Sequence, residues 1–229
     1  LNAIDVRADE RRCIADTRRQ QACTLLWLYA PGFIDGNQAS CDNIEALTGL
    51  AVAQFDQPEN PAIEMVKGSD FCGAPTPQRA VIPYSLRAFI PGPVSNPVTV
   101  SPLFYLVDDA DAVAVYRDSR KGAIGFIMTG AATSVFYGSP LLSTRFLIDL
   151  CTFSKVHLYV DTGHDVIFAN RHFLGVSSEL AGRKHIRLPQ IADVYDLTDN
   201  RLVAKAADHF EVTMGKNETH TYGLDFFLQ

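Results

Sequence analysis

After Thr24, the apolar run Leu25-Leu26-Trp27-Leu28-Tyr29 is stopped by Pro31-Gly32 and passes into Phe33-Ile34-Asp35-Gly36. An unbroken apolar run closed by Pro and Gly is the pattern of a strand covered on both faces. The rest of the chain must then supply layers on either side of it. The loop falls at the strand's carboxyl end, where open α/β sheets place their sites. It carries no nucleophile, no glycine-rich phosphate cradle and no cluster of metal ligands. It therefore reads as a contact surface, with Tyr29, Phe33 and Asp35 the residues that would meet a neighbouring domain or subunit. Trp27 alternates with Leu26 and Leu28 and reads as core, the alternative being a sugar platform shared with Tyr29 and Phe33.

Around this strand the first half alternates helix and strand. Asp5 is placed to cap a helix over residues 6–20, with Asp9 and Glu10 near its positive end and Arg18 and Arg19 near its negative end. After the Pro31-Gly32 loop, Ser40 or Asp42 can cap a short helix ending at Gly49, and residues 50–55 form the next strand. This β-α-β-α rhythm predicts a mainly parallel sheet. Nine prolines between Pro58 and Pro102 then break it. Such density leaves only short extended pieces at 62–66 and 84–89 and marks 57–102 as a large insertion or a looping edge.

Strands are predicted again at 103–107, 113–116, 123–128 and 132–137, with turns at 108–111, 121–122 and 129–130. Ser139-Pro140 opens a helix that closes a first domain, 1–154. Beyond Lys155 only short strands are predicted: 156–159, 166–169, 172–177, 184–188, 192–195, 209–214 and 219–226. Turns at 161–163, 181–182, 198–200 and 215–217 space them as in an antiparallel β-sandwich, 155–229. Tyr195 and Phe210 are read as inward-facing.

Composition excludes several classes. A net charge of −6 speaks against nucleic acid as a partner, because its only basic cluster, Arg11, Arg12, Arg18 and Arg19, is interspersed with Asp9, Glu10 and Asp16 and reads as a solvated helix face. No apolar run reaches the roughly 18 residues of a membrane span. Five widely spaced cysteines form no Cys-x-x-Cys, so neither zinc nor a redox pair is suggested and a reducing compartment is mildly favoured. The sequon Asn217-Glu218-Thr219 carries little weight against that. The start, Leu1-Asn2-Ala3-Ile4, has neither an initiator Met nor an apolar leader and reads as a fragment of a longer polypeptide.

The motifs Leu1-Asn2-Ala3, Leu25 to Ile34, Asn43-Ile44 and Leu47-Thr48-Gly49 resemble a region of β-galactosidase-like glycoside hydrolases related to family 42. So do Ser134-Val135-Phe136, Pro140-Leu141-Leu142, Val156 to Tyr159, Asp161-Thr162-Gly163, Asp165-Val166, Ala169-Asn170 and Phe173-Leu174. Ala181 to Lys184, Ile186 to Pro189 and Ala192 to Asp196 extend the resemblance over most of the chain outside the proline-rich middle. In such proteins a catalytic (β/α)8 barrel precedes a glutamine-amidotransferase-like, flavodoxin-like trimerisation domain and a C-terminal β-sandwich. The resemblance implies that this chain is the second and third of these, lacking the barrel and the first strand.

The implied function is a non-catalytic accessory and assembly region, with the barrel of the same polypeptide and further subunits of a homo-oligomer as partners. Alternatives are a carbohydrate-binding module, or part of an active glycosidase whose barrel lies elsewhere. Active amidotransferases need a Cys or Ser on a strained turn with a His partner. Neither Cys41 nor Cys72 has that setting, and all six histidines fall beyond residue 155. The paired carboxylates of glycoside hydrolysis stand roughly 5–10 Å apart, and in the family they belong to the barrel. No catalytic, cofactor-binding or metal residue is assigned. His157, His164 and His172 with Asp161 and Asp165 are the densest group of potential ligands, and they read as a carboxylate turn with exposed histidines.

Overall fold

The computed structural model describes residues 4–36, 38–65, 99–108, 112–160, 162 and 164–226. The chain divides into two compact units, Leu1–Ser143 and Thr144–Gln229. The strand predicted at 84–89 lies outside the described residues.

The first unit opens with helix α1, Ala8–Gln20. Its dipole is complemented as the sequence suggests, by Asp9 and Glu10 at the start and Arg18 and Arg19 at the end. The cap differs: Arg7 holds that position and donates its amide to Glu10 Oε2 at 2.8 Å, while Asp5 bridges to Ile34. Strand β1, Thr24–Leu28, leads to the small hairpin of β2, Ile34–Asp35, and β3, Gln38–Ala39. Helix α2, Cys41–Thr48, is capped by Ser40 Oγ, which accepts from Asp42 N at 3.1 Å, and ends on Gly49. Strands β4 (Val52–Gln54), β5 (Ile63–Met65), β6 (Phe104–Leu106), β7 (Ala112–Tyr116), β8 (Gly122–Thr129) and β9 (Ala132–Tyr137) follow.

These strands do not form the mainly parallel, flavodoxin-like sheet expected. The seven-stranded sheet runs β1-β9-β8-β6-β4, with β7 also on β8 and β5 on β7. Among the described strands only β1 and β9 pair in parallel. The pairs β4/β6, β5/β7, β6/β8, β7/β8 and β8/β9 are all antiparallel. The reason is connection length. A parallel pair needs a crossover of about a dozen residues or more, whereas β7 to β8 and β8 to β9 are joined by tight turns that can only make hairpins. The sheet forks at Gly122, which pairs with both Leu106 and Val115. A Cβ there would meet Leu106 Cβ at 3.0 Å and Ala112 Cβ at 3.1 Å.

The core of this unit joins Trp27 from β1, Ile44 and Leu47 from α2, and Phe104, Leu106 and Phe136 from the sheet. The helix expected to open at Ser139-Pro140 starts later. Ser139 Oγ instead accepts from Leu141 N in a local turn, and α3 spans Thr144–Phe153 in the second unit.

The second unit's strands are β10 (Val166–Ala169), β11 (Phe173–Ser177), β12 (Gly182–Asp196), β13 (Arg201–Met214) and β14 (Thr219–Phe226). They form one antiparallel five-stranded sheet, β10-β11-β14-β12-β13, and the described residues of this unit form no second sheet. The sandwich expectation fails because two predicted strands fuse. β12 runs through Pro189, and its register against β13 slips between Arg187 and Ala192, the kind of irregularity that tolerates proline. Fusion yields fewer, longer strands. Residues 157–160 form no strand, although Arg187 N donates to Tyr159 O at 2.8 Å. The core lies on one side of the sheet, where Leu174, Val176, Ile186, Val194, Tyr222 and Leu224 meet.

Candidate functional site

The loop after β1 is tightly built. Tyr29 takes a left-handed conformation, φ 64°, and its amide donates to Tyr137 O at 2.8 Å, extending the parallel ladder by one step. Its hydroxyl donates to Pro102 O, and burial raises its pKa. The Tyr29 and Phe33 rings both meet Phe104 edge-on, with centroids at 5.6 and 5.0 Å. Gly32 sits between them at φ 62°, where a Cβ would stand 2.2 Å from Leu47 Cδ1, so no other residue fits without repacking. The structure thus brings Tyr29 and Phe33 together, half-buried against the core. Asp35, on the hairpin, is the exposed member of the predicted trio.

What fixes this loop is Arg11, which sequence reading assigned to a solvated face. Its side chain is only 15% exposed. Nε donates to Val6 O at 2.9 Å, Nη1 to Asn43 O at 3.0 Å, and Nη2 to Gly32 O at 2.7 Å and Ile34 O at 3.4 Å. Nε also lies 3.4 Å from Asp35 Oδ2. One planar fork therefore ties α1, the loop and α2. Arg18 behaves similarly, donating to Leu47 O, whereas among the described residues Arg12 and Arg19 bond within their own helix. We expect Arg11→Met to cost on the order of 3 kcal/mol, since several carbonyls lose a charged donor at once. Asp35→Ala should cost less than about 1 kcal/mol, because its pair is open to water. Urea denaturation of the two variants checks the difference.

The histidine group beyond residue 155 does not converge. His157 Nε2 lies 3.2 Å from Arg187 O and its ring stands edge-on to Tyr159. His164 faces Glu179 at 3.8 Å, and the His172 amide donates to Asn170 Oδ1. Asp165 is taken by Lys184, and Asp161 lies outside the described residues. No group of three or more His, Cys, Asp or Glu among the described residues is arranged to hold a metal ion.

Titratable side chains do gather elsewhere. Asp196, whose side chain is fully buried, accepts from the amides of Thr198 at 2.9 Å and Asp199 at 3.2 Å, and lies 3.2 Å from His220 Nδ1. His220 Nε2 lies 2.8 Å from Glu218 Oε1. Burial pushes the Asp196 carboxyl up, but the two amides and the imidazole outweigh it and hold it below the usual range. The bond to Glu218, aided by Asp196, raises the His220 pKa. A ring clamped between two carboxylates is suited to staying protonated, not to taking up protons as a base. Tyr222, stacked on His220, has its hydroxyl pushed up to about 12, chiefly by burial. The cluster has no nucleophile and reads as a structural lock on the β12 to β14 end of the sheet.

No family model matches the chain, and no curated protein matches its sequence. Solved structures match its fold. A β-galactosidase from Bacillus circulans sp. alkalophilus superposes with a TM-score of 0.60 at 11% identity, covering 98% of this chain and 32% of that one. A polyextremophilic β-galactosidase from the Antarctic haloarchaeon Halorubrum lacusprofundi gives 0.56 at 16% identity, over 96% of this chain and 30% of that one. A variant of the GH42 β-galactosidase of G. stearothermophilus gives 0.55 at 12% identity, over 96% and 30%. The chain spans about a third of the length of these proteins, and the likeness is one of fold.

Proposed function

We propose that this chain is a non-catalytic accessory region of a β-galactosidase-like glycoside hydrolase, which holds subunits together and braces a catalytic barrel carried by the same polypeptide. The observation that carries this reading is the match of nearly the whole chain, 96 to 98%, onto 30 to 32% of several β-galactosidases. A region that fits about a third of much longer enzymes is suited to serving the remainder. The loop of Tyr29, Phe33 and Asp35 supplies the contact: Arg11 and Phe104 hold it rigid, so it loses little conformational entropy on docking, and Asp35 is presented outward.

The test is Asp35→Ala in the complete polypeptide that carries this region, followed by sedimentation velocity and by hydrolysis of a nitrophenyl β-galactoside. The variant should keep its fold yet sediment as a smaller species and hydrolyse more slowly. Unchanged assembly together with unchanged hydrolysis would sink the contact role of this loop.

A further inference from the structure

The outward face of the second sheet is divided. Where β12 begins and β13 ends, outward positions carry Arg183, His185, Arg187, His209 and Glu211, an ordinary solvated face. At the other end the same face turns apolar, with three aromatic rings beside the exposed aliphatics Val166, Leu197 and Leu202. Phe168 on β10 is 71% exposed, Phe173 on β11 49% and Tyr195 on β12 41%. Tyr195 therefore corrects the inward reading from sequence, while Phe210, 4% exposed, fits it.

Register places these rings together. Phe173 and Tyr195 both pair with Gly223 of β14, so the three occupy one row across neighbouring strands. Strands stand about 4.8 Å apart, which puts the two aromatic residues roughly 10 Å from each other across a residue with no side chain. Leu197 fills that gap, its Cδ2 standing 3.2 Å from where a Gly223 Cβ would be. Phe168 pairs with Gly175 in the adjoining row, again beside a glycine. The rim is polar: Asp193 pairs with Asp225 one step beyond Tyr195, and Thr221 lies beside Gly175.

We propose that this face binds a neutral carbohydrate chain, with Phe168, Phe173 and Tyr195 stacking on pyranose rings. A pyranose is amphipathic in the way the face requires. Its C–H faces pack on aromatic rings, and its equatorial hydroxyls project sideways as donors to acceptors such as Asp225 and Thr221. Leu197, half exposed over Gly223, gives the space between the rings an apolar floor on which the face of a sugar ring can rest. The alternative occupant, a second copy, fits poorly: a two-fold contact through this face would bury Asp193 and Asp225 against an identical acidic rim. The same carboxylates, in a chain of net charge −6, repel anionic polymers. The inference does not depend on the accessory-region reading.

Affinity electrophoresis of the chain in gels containing β-1,4-galactan, laminarin or xyloglucan tests it. Retardation is expected in at least one, weakened about tenfold or more by Phe168→Ala combined with Phe173→Ala and by Tyr195→Ala alone. His185→Ala, at the charged end, should change nothing. These exposed positions allow circular dichroism to confirm an unaltered fold. No retardation in any of the gels, or retardation indifferent to the aromatic variants, would overturn the proposal. So would a concentration-dependent dimer that Phe168→Ala abolishes, which would assign the face to a second copy.

Discussion

Lys184→Met is expected to destabilise the second unit by about 3–5 kcal/mol at neutral pH, because it strands a buried carboxylate. Lys184 lies on the core side of β12 with Ile186 and Leu188. Its Nζ donates to Asp165 Oδ1 at 2.8 Å, with side-chain exposures of 8% and 0% for the pair. Thr162 Oγ1 donates to the other carboxylate oxygen at 2.8 Å. Burial pushes the Asp165 carboxyl up, but the Lys184 and Thr162 bonds outweigh it and set its pKa below the ordinary value. A lowered folded-state pKa contributes stability that is present above the unfolded value, near 3.9, and is lost as pH falls through the folded one. Without Lys184 the carboxylate has no charge partner, and protonation relieves the cost. The gap between wild type and variant should therefore be widest at pH 7 and shrink towards pH 3 in urea melts followed by circular dichroism. A gap of equal size at both pH values would mean that lost packing, not the stranded charge, sets the effect. Replacing Asp165 by Leu as well should recover most of the loss.

Lys184 also shows how far the sequence can be read. The alternation Lys184-His185-Ile186-Arg187-Leu188 already sets Lys184 on the face of Ile186 and Leu188, so a charge in the core was legible. Its partner was not, since no spacing rule links a strand position to a turn 19 residues earlier. Arg11 failed in the same way. In sequence it is interspersed with Asp9, Glu10 and Asp16, and only the folded chain brings three carbonyls from distant segments, with that of Val6, to its fork. Local signals fared better, as Ser40 and Gly49 bound α2 as expected and β9 begins and ends where the sequence suggests. The helix-strand rhythm of the first 55 residues points to a parallel sheet, and the tight turns β7–β8 and β8–β9 beyond it make antiparallel hairpins instead. Aromatic character alone points Tyr195 inward, whereas strict alternation from Val194, which is buried, places it outside.

Trp27→Ala should cost the first unit about 3–5 kcal/mol, the range for removing a fully packed aromatic from a core. Trp27 is 1% exposed and is the chain's single tryptophan. Its loss is more than a cavity. The indole Nε1 donates to Ser134 Oγ at 2.7 Å, and the same hydroxyl donates onward to Thr48 O, so one hydroxyl links β1, β9 and the end of α2. Ser134→Ala would leave the indole N–H and the Thr48 carbonyl buried without partners and should cost about 1–3 kcal/mol with no aromatic removed. The two effects share a network, so the double variant should lose less than the sum of the singles. Circular dichroism melts of all three give that comparison, and tryptophan fluorescence reports on Ser134→Ala alone. If the losses are fully additive, Trp27 acts by packing only and the hydroxyl relay contributes nothing separable. If they couple, the strand that ends in Tyr29 is held in register by that relay. In that case the placement of Phe33 and Asp35 depends on a side chain buried well behind them.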